Sequence, residues 1–192
     1  MRGQRQIRSI HSKFETRQEE DGKKFISGYF AVFNSNYQIW DGATESIDPH
    51  AFDETLGNDV RALIDHQTHL VLGRNKAGTL TLRIDSRGLW GDVEINEDDQ
   101  DAMNLYARVQ RGDVDQCSFG FDIQEEKFEE REDGSVHWTI LKVDLYEVSV
   151  CTFPAYEDTS VSARKNDLKS IEQRKVDVFK KDLLKKLKGD NQ

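Results

Sequence analysis

The 192-residue sequence holds only two cysteines and two prolines, and no apolar run approaches the ~18–20 residues that span a bilayer. The missing apolar run argues against a membrane helix. The stretch MRGQRQIRSIHSKFETR is basic but has no apolar centre, which argues against a secretory signal. Without such a signal, Cys117 and Cys151 point to free thiols in a reducing compartment. With Pro49 and Pro154 alone, and no internal repeats, no flexible linker separates two globular units. One domain with a helical tail is the economical organisation. Hydrophobic residues make up 36% and charged residues 33%, so the chain is polar but has enough apolar side chains for one core.

The net charge of −9 is unevenly spread. Residues 1–17 carry a net +4 and residues 163–192 a net +5, which leaves −18 on residues 18–162. So acidic a body argues against nucleic acid as the main partner, because phosphate binding needs a basic footprint. Basic ends suit solvated faces, or else docking on an acidic partner or folding against the acidic body.

Periodicity reads the body as mostly β. KFISGYFAVFN (24–34) is a strand run closed by a turn, and ESIDPHAFDETL (45–56) predicts a strand end followed by one or two helical turns from Asp48-Pro49. VRALIDH (60–66) and HLVLGR (69–74) are short apolar runs with a polar break. GTLTLRID alternates cleanly and, with LWGDVEI, predicts a hairpin over 78–95. Residues 96–114 change period: early acids, then Ala102, Leu105, Tyr106 and Val109 at helical spacing, then Gly112 as a stop. A charged hairpin follows over 124–140 with its tip at Glu132-Asp133-Gly134, and KVDLYEVSVCTF (142–153) is a further alternating strand. From Arg164 onward, Leu168, Ile171, Val176, Phe179, Leu183 and Leu187 recur among lysines as a basic amphipathic helix.

The run DQCSFGF (115–121) sets a thiol beside a hydroxyl. A hydroxyl needs a positioned base to act as a nucleophile, and the base needs a third group to orient it. Strand parity places Cys117, Phe119, Phe121 and Ile123 on one face, the core face, and Ser118 and Gly120 on the other. Cys117 is then a buried small hydrophobe. In LYEVSVCTF the same rule turns Tyr146, Val148 and Val150 inward, and Glu147, Ser149 and Cys151 to the opposite face. Ser118 and Glu147 are thus expected on an exposed sheet face. Among the histidines, His11 falls in a loose N-terminus, His50 at a turn, and His137 on a solvated strand. His66 ends ALID at a strand-to-loop transition, where a side chain can be both held and open. His66 and His69 form an H-x-x-H pair, but no further ligand completes a familiar metal set, so no metal or cofactor is expected. Arg74 is a candidate oxyanion contributor, with an ion pair in the acidic body as the equal alternative. On spacing alone, a serine and a glutamate on a solvated face remains the default.

Taken together, SGYFAVFN, ESIDPHAF, VRALIDHQTHLVLGR, GTLTLRID with GLWGDVEI, RGDVDQCSFGF and YEVSVCTFPAYEDTSVSAR resemble the prohead maturation serine proteases of tailed bacteriophages over residues 24–164. The resemblance implies an α+β fold: a compact, mainly antiparallel β-barrel flanked by helices, similar to the herpesvirus assembly protease. It divides the chain into a basic N-terminal arm (1–23), the protease domain (24–164) and a basic helical tail (165–192). It implies Ser118 as nucleophile, His66 as general base and Glu147 as the acid that orients it, with no cofactor and no metal. The implied activity is a serine endopeptidase that cleaves scaffold and the scaffold segment of the major capsid protein, often followed by self-cleavage. The implied location is the procapsid interior in the bacterial host cytoplasm. Its partners are then the capsid protein and, by self-association or shell association, further copies of the assembly, with no nucleic acid and no membrane. Asp65 stands where the family often has Asn, and Cys117 where a small or apolar residue is usual. A catalytically idle, scaffold-binding protein with the same fold is the alternative.

Overall fold

Turn chemistry and local period account for much of the secondary structure in the computed structural model, which describes residues 6–11, 13–153 and 157–189. Eleven strands are described: β1 Gln6–His11, β2 Glu15–Gln18, β3 Lys24–Val32, β4 Tyr37–Trp40, β5 Ala43–Ile47, β6 Arg61–Ile64, β7 Gln67–Arg74, β8 Leu80–Ile84, β9 Gly88–Ile95, β10 Gln116–Glu130 and β11 Val136–Cys151. Two α-helices, α1 Gln100–Arg111 and α2 Glu157–Gly189, and a single 3-10 turn at Asn75–Ala77 complete the described set. The expected hairpin is β8–β9. The expected helix is α1, where the Asp99 carboxylate accepts the backbone N–H groups of Asp101 and Ala102, and Gly112 closes the helix at φ 85°. Its buried face is Ala102, Leu105, Tyr106 and Val109, the four positions singled out by spacing.

The chain divides into two compact units, Met1–Tyr156 and Glu157–Gln192. The first is α+β, mostly strands. Its strands form a seven-stranded sheet, with the path β1-β10-β11-β5-β4 and with β6 and β7 joined through β11, and a four-stranded sheet β2-β3-β9-β8. The expected closed barrel is not what forms: among the described residues the pairings leave two open sheets. They share a core in which Ile26, Phe30, Leu89 and Val93 meet Phe119, Phe121, Leu145 and Val148. The second unit is the single helix α2, which starts at Glu157, upstream of the expected Arg164.

Two departures from expectation shape the site. Residues 48–59 form successive turns rather than a helix. Their polar groups are drawn to β11: Val143 N–H donates to the Ala51 carbonyl at 3.1 Å and Leu145 N–H to Thr55 Oγ1 at 2.7 Å. This packs Phe52 into the core and splits one edge of β11 between two parallel partners. Val136–Ile140 pairs with β5, and Glu147–Val150 pairs with β6. Secondly, the described residues of the N-terminal stretch are not loose. β1 is paired along its length with β10, from Gln6 opposite Phe121 to His11 opposite Gln116, and β2 pairs with β3.

Candidate active site

His66 is placed by the β6–β7 hairpin. β6 lies against the C-terminal half of β11, with Leu63 opposite Ser149 and Ile64 opposite Val150. The chain then reverses through only two residues, Asp65 at φ 46° and His66 at φ 60°. Positive φ at both central residues is the pattern of a type I′ turn, whose twist suits paired strands but which side chains other than Gly, Asn and Asp rarely accept. Asp65 accepts it and anchors it: its carboxylate takes the Thr152 backbone N–H at 2.7 Å and the Thr152 hydroxyl at 3.2 Å. His66 is less tolerant of that conformation, and its neighbours hold it there.

Those neighbours are Glu147 and Ser149. Glu147 Oε1 meets His66 Nδ1 at 2.7 Å, Ser149 Oγ donates to Glu147 Oε2 at 2.6 Å, and the His66 backbone N–H donates to Ser149 Oγ at 3.3 Å. An ionised carboxylate can only accept, so Nδ1 is the donor of this pair, and in a neutral ring Nε2 is then the basic nitrogen. The carboxylate thus orients the imidazole with Nε2 turned away from it. Ser149 is the participant that sequence reasoning passed over. Parity had already set it beside Glu147, two positions along one strand face.

Parity held for Glu147, Ser149 and Cys151 but failed for Tyr146, which is exposed rather than inward. The cause is a bulge: Gly120 opposes Glu147 while Phe121 opposes Leu145, so Tyr146 is left over and Leu145 takes the core position. The expected exposed face is corrected as well. Ser118, Glu147 and Ser149 are all buried.

Ser118 stands directly opposite Ser149 across β10–β11, which puts it on the same sheet face as Glu147. Among the described residues it makes no hydrogen bond to His66. Its hydroxyl donates instead to the Arg8 carbonyl oxygen of β1 at 2.8 Å and accepts from Ser9 Oγ at 3.1 Å. His66 Nε2 faces Cys151 Sγ at 3.8 Å. The structure therefore joins His66 to Glu147 and brings Ser118 to the adjacent strand position, with a strand of the same chain lying against its hydroxyl. Burial, with the charges of Asp65 and Glu147, pushes the Cys151 thiol well above its ordinary range, so it stays protonated.

The remaining candidates fall elsewhere. Cys117 is fully buried, its thiol donating to the Tyr29 carbonyl of the other sheet at 3.0 Å, a core role as expected. His50 pairs with Asp53 at an exposed turn. His69 is exposed on β7. His11 belongs to β1, paired with Gln116, rather than to an unfixed end. His137 is not solvated: it is buried between the hydroxyls of Thr44 and Ser46, at 2.7 and 2.9 Å. Arg74 forms a two-pronged ion pair with Asp59 at 2.6 and 2.8 Å, so the structural alternative describes it.

A carboxylate-oriented imidazole one strand away from a serine is an arrangement suited to acyl transfer, and it sits on a two-sheet α+β scaffold. Residues 12–174 match the family model of the caudovirus prohead serine protease, and the chain belongs to that family. It is 32% identical over 151 residues to the prohead protease of Enterobacteria phage HK97, a match that covers 76% of this chain and 63% of that relative. The chain thus spans less than two thirds of the relative's length. Its fold is similar to that of the bacteriophage T4 capsid assembly protease, with a TM-score of 0.50 at 10% identity, over 77% of this chain and 97% of the other.

Proposed function

We propose that the chain is a serine endopeptidase of phage head maturation, with Ser118 as nucleophile, His66 as general base and Glu147 as the carboxylate that orients the histidine. The observation that carries this reading is the contact of Ser118 Oγ with a main-chain carbonyl oxygen at 2.8 Å, on the face where Glu147 holds His66. A peptide strand thus already lies where a substrate strand would lie. In the reaction, Ser118 turns from that carbonyl toward His66 Nε2 and gives up its proton as its oxygen bonds the substrate carbonyl carbon. The imidazolium returns the proton to the leaving amine as the C–N bond breaks, and water then hydrolyses the ester. Glu147, buried and fixed by Ser149, stabilises the imidazolium between those steps.

The substrates are scaffold and the scaffold segment of the major capsid protein inside the procapsid, followed by self-cleavage, and the enzyme works in association with the shell or with copies of itself. The family membership supports this reading, as does the likeness to the T4 capsid assembly protease in fold. A scaffold akin to that of the herpesvirus assembly protease belongs to the same reading.

One observation favours a second reading, in which Cys151 is the nucleophile: its thiol, not Ser118, faces His66 Nε2. Against it, a thiol acts as the thiolate, and burial drives this one toward the protonated form. An idle, scaffold-binding protein is the third. Co-expression with the capsid protein separates them. Ser118→Ala abolishes capsid-protein processing and Cys151→Ala preserves it if the serine reading holds. Processing by Ser118→Ala sinks it, and no processing by the wild-type chain favours the idle protein.

A further inference from the structure

β1 does more than cover Ser118. Its residues alternate across the sheet, so Ser9 lies on the Ser118 face while Arg8, whose carbonyl meets the Ser118 hydroxyl, sends its side chain through to the other. There the guanidinium is held in a two-pronged contact by Glu45, Nε to Oε1 at 2.5 Å and Nη2 to Oε2 at 2.8 Å. The Phe121 ring forms a wall 5.6 Å from the guanidinium carbon. Both partners are buried, Arg8 at 7% and Glu45 at 0% exposure. Glu45 is fixed from two sides, because β5 pairs Glu45 with Tyr37 of β4 and with Trp138 of β11.

A carboxylate so deep in a fold is costly unless a cation answers it, and the planar fork of arginine answers it in two places. Here the cation is carried by the residue whose carbonyl lies at the candidate nucleophile. We propose that Glu45 is the specificity-determining residue of the protease: it selects substrates with Arg or Lys immediately before the bond that is cut. β1 fills that site in substrate-like fashion until another strand displaces it. The proposal rests on the serine endopeptidase reading and adds to it the side chain that the enzyme recognises. A neutral or acidic side chain in that position would leave Glu45 buried without its cation, or facing a like charge. A site built around a buried polar partner rejects such analogues strongly.

The test maps the new N-termini produced when the full-length chain is co-expressed with its capsid protein, with Ser118→Ala as background. Cuts that depend on Ser118 are expected after Arg or Lys. Glu45→Gln lowers their rate on the order of 10²-fold, as truncating one partner of a buried charge pair does. Because Glu45→Gln leaves Arg8 buried without its carboxylate partner, Arg8→Gln with Glu45→Gln is made alongside it, and that double variant also loses the basic cuts. Ser118-dependent cuts after other residues overturn the proposal while the endopeptidase reading stands. Cutting at basic sites by a folded double variant at the wild-type rate does the same. If no cut depends on Ser118, the endopeptidase reading itself falls, and the specificity proposal falls with it.

Discussion

Ser149 has one hydroxyl and uses it twice, donating to Glu147 Oε2 and accepting from the His66 backbone N–H. It therefore ties the carboxylate to the turn that carries the imidazole. Ser149→Ala leaves a buried carboxylate oxygen without that donor, a loss of about 1–3 kcal/mol. We expect a lower melting temperature and a fall in kcat with little change in KM, since the hydroxyl is spent on Glu147 and the His66 turn and acts through His66 in the proposed reaction. Ser149→Thr keeps the hydroxyl and should restore most of kcat. A variant that loses stability but keeps kcat would show that Ser149 is structural only. Cys151 is the contrasting case, because its thiol touches His66 Nε2 without the ionisation that would make it reactive. Cys151→Ala and Cys117→Ala should both leave processing intact, and thiol alkylation should not inhibit the native enzyme. Loss of processing in Cys151→Ala with the fold preserved would move the nucleophile to the thiol.

The β6–β7 hairpin is the element on which the site depends, because two residues at positive φ convert a strand end into a histidine facing β11. Asp65 carries that turn by conformational tolerance and by its bonds to Thr152. Asp65→Val puts a β-branched residue in the left-handed region, at about 1–2 kcal/mol for the backbone alone. Thermal denaturation should show that loss and processing should fall with it, while Asp65→Asn, which tolerates the same conformation, should come close to wild type. Equal stability of the Val and Asn variants would remove the turn from the argument. What was legible from the sequence follows the same division between local and distant causes. The β8–β9 hairpin and α1 are written in local period and caps, and His66 stood out by its flanks. Asp48-Pro49 is a good helix start and predicts one or two helical turns, yet the partners that draw 48–59 into turns lie on β11, some ninety residues away. Tyr146 was misplaced because no period announces a bulge. The pairing of β1 with β10 joins positions more than a hundred residues apart, and nothing local to RQIRSIH foretells it.

At the scale of the molecule, two histidines act on stability just below neutral pH with opposite signs. His137 joins β11 to β5 through Thr44 and Ser46, and burial, then the charge of Arg131, pushes its pKa below the ordinary value. Below about pH 6.5 the unfolded chain takes up a proton at this residue before the native chain does, so the stability it contributes is present above that pH and is lost as the pH falls. His50 does the reverse: its bond to Asp53 raises its pKa, so its contribution is present at low pH and is lost as the pH rises through the folded value. The two differ in setting. His50 is 81% exposed and its ion pair is open to salt, whereas His137 is buried. Screening over a Debye length of about 8 Å at 0.15 M salt weakens the first and spares the second. The melting temperature should therefore fall below about pH 6.5, and fall more steeply once salt is added. His137→Gln, which keeps a polar side chain between the two hydroxyls without a group that titrates there, should flatten the acid limb. His50→Gln should steepen it at low salt only. A His137→Gln melting profile parallel to wild type between pH 5 and 7 would place the acid sensitivity in other groups.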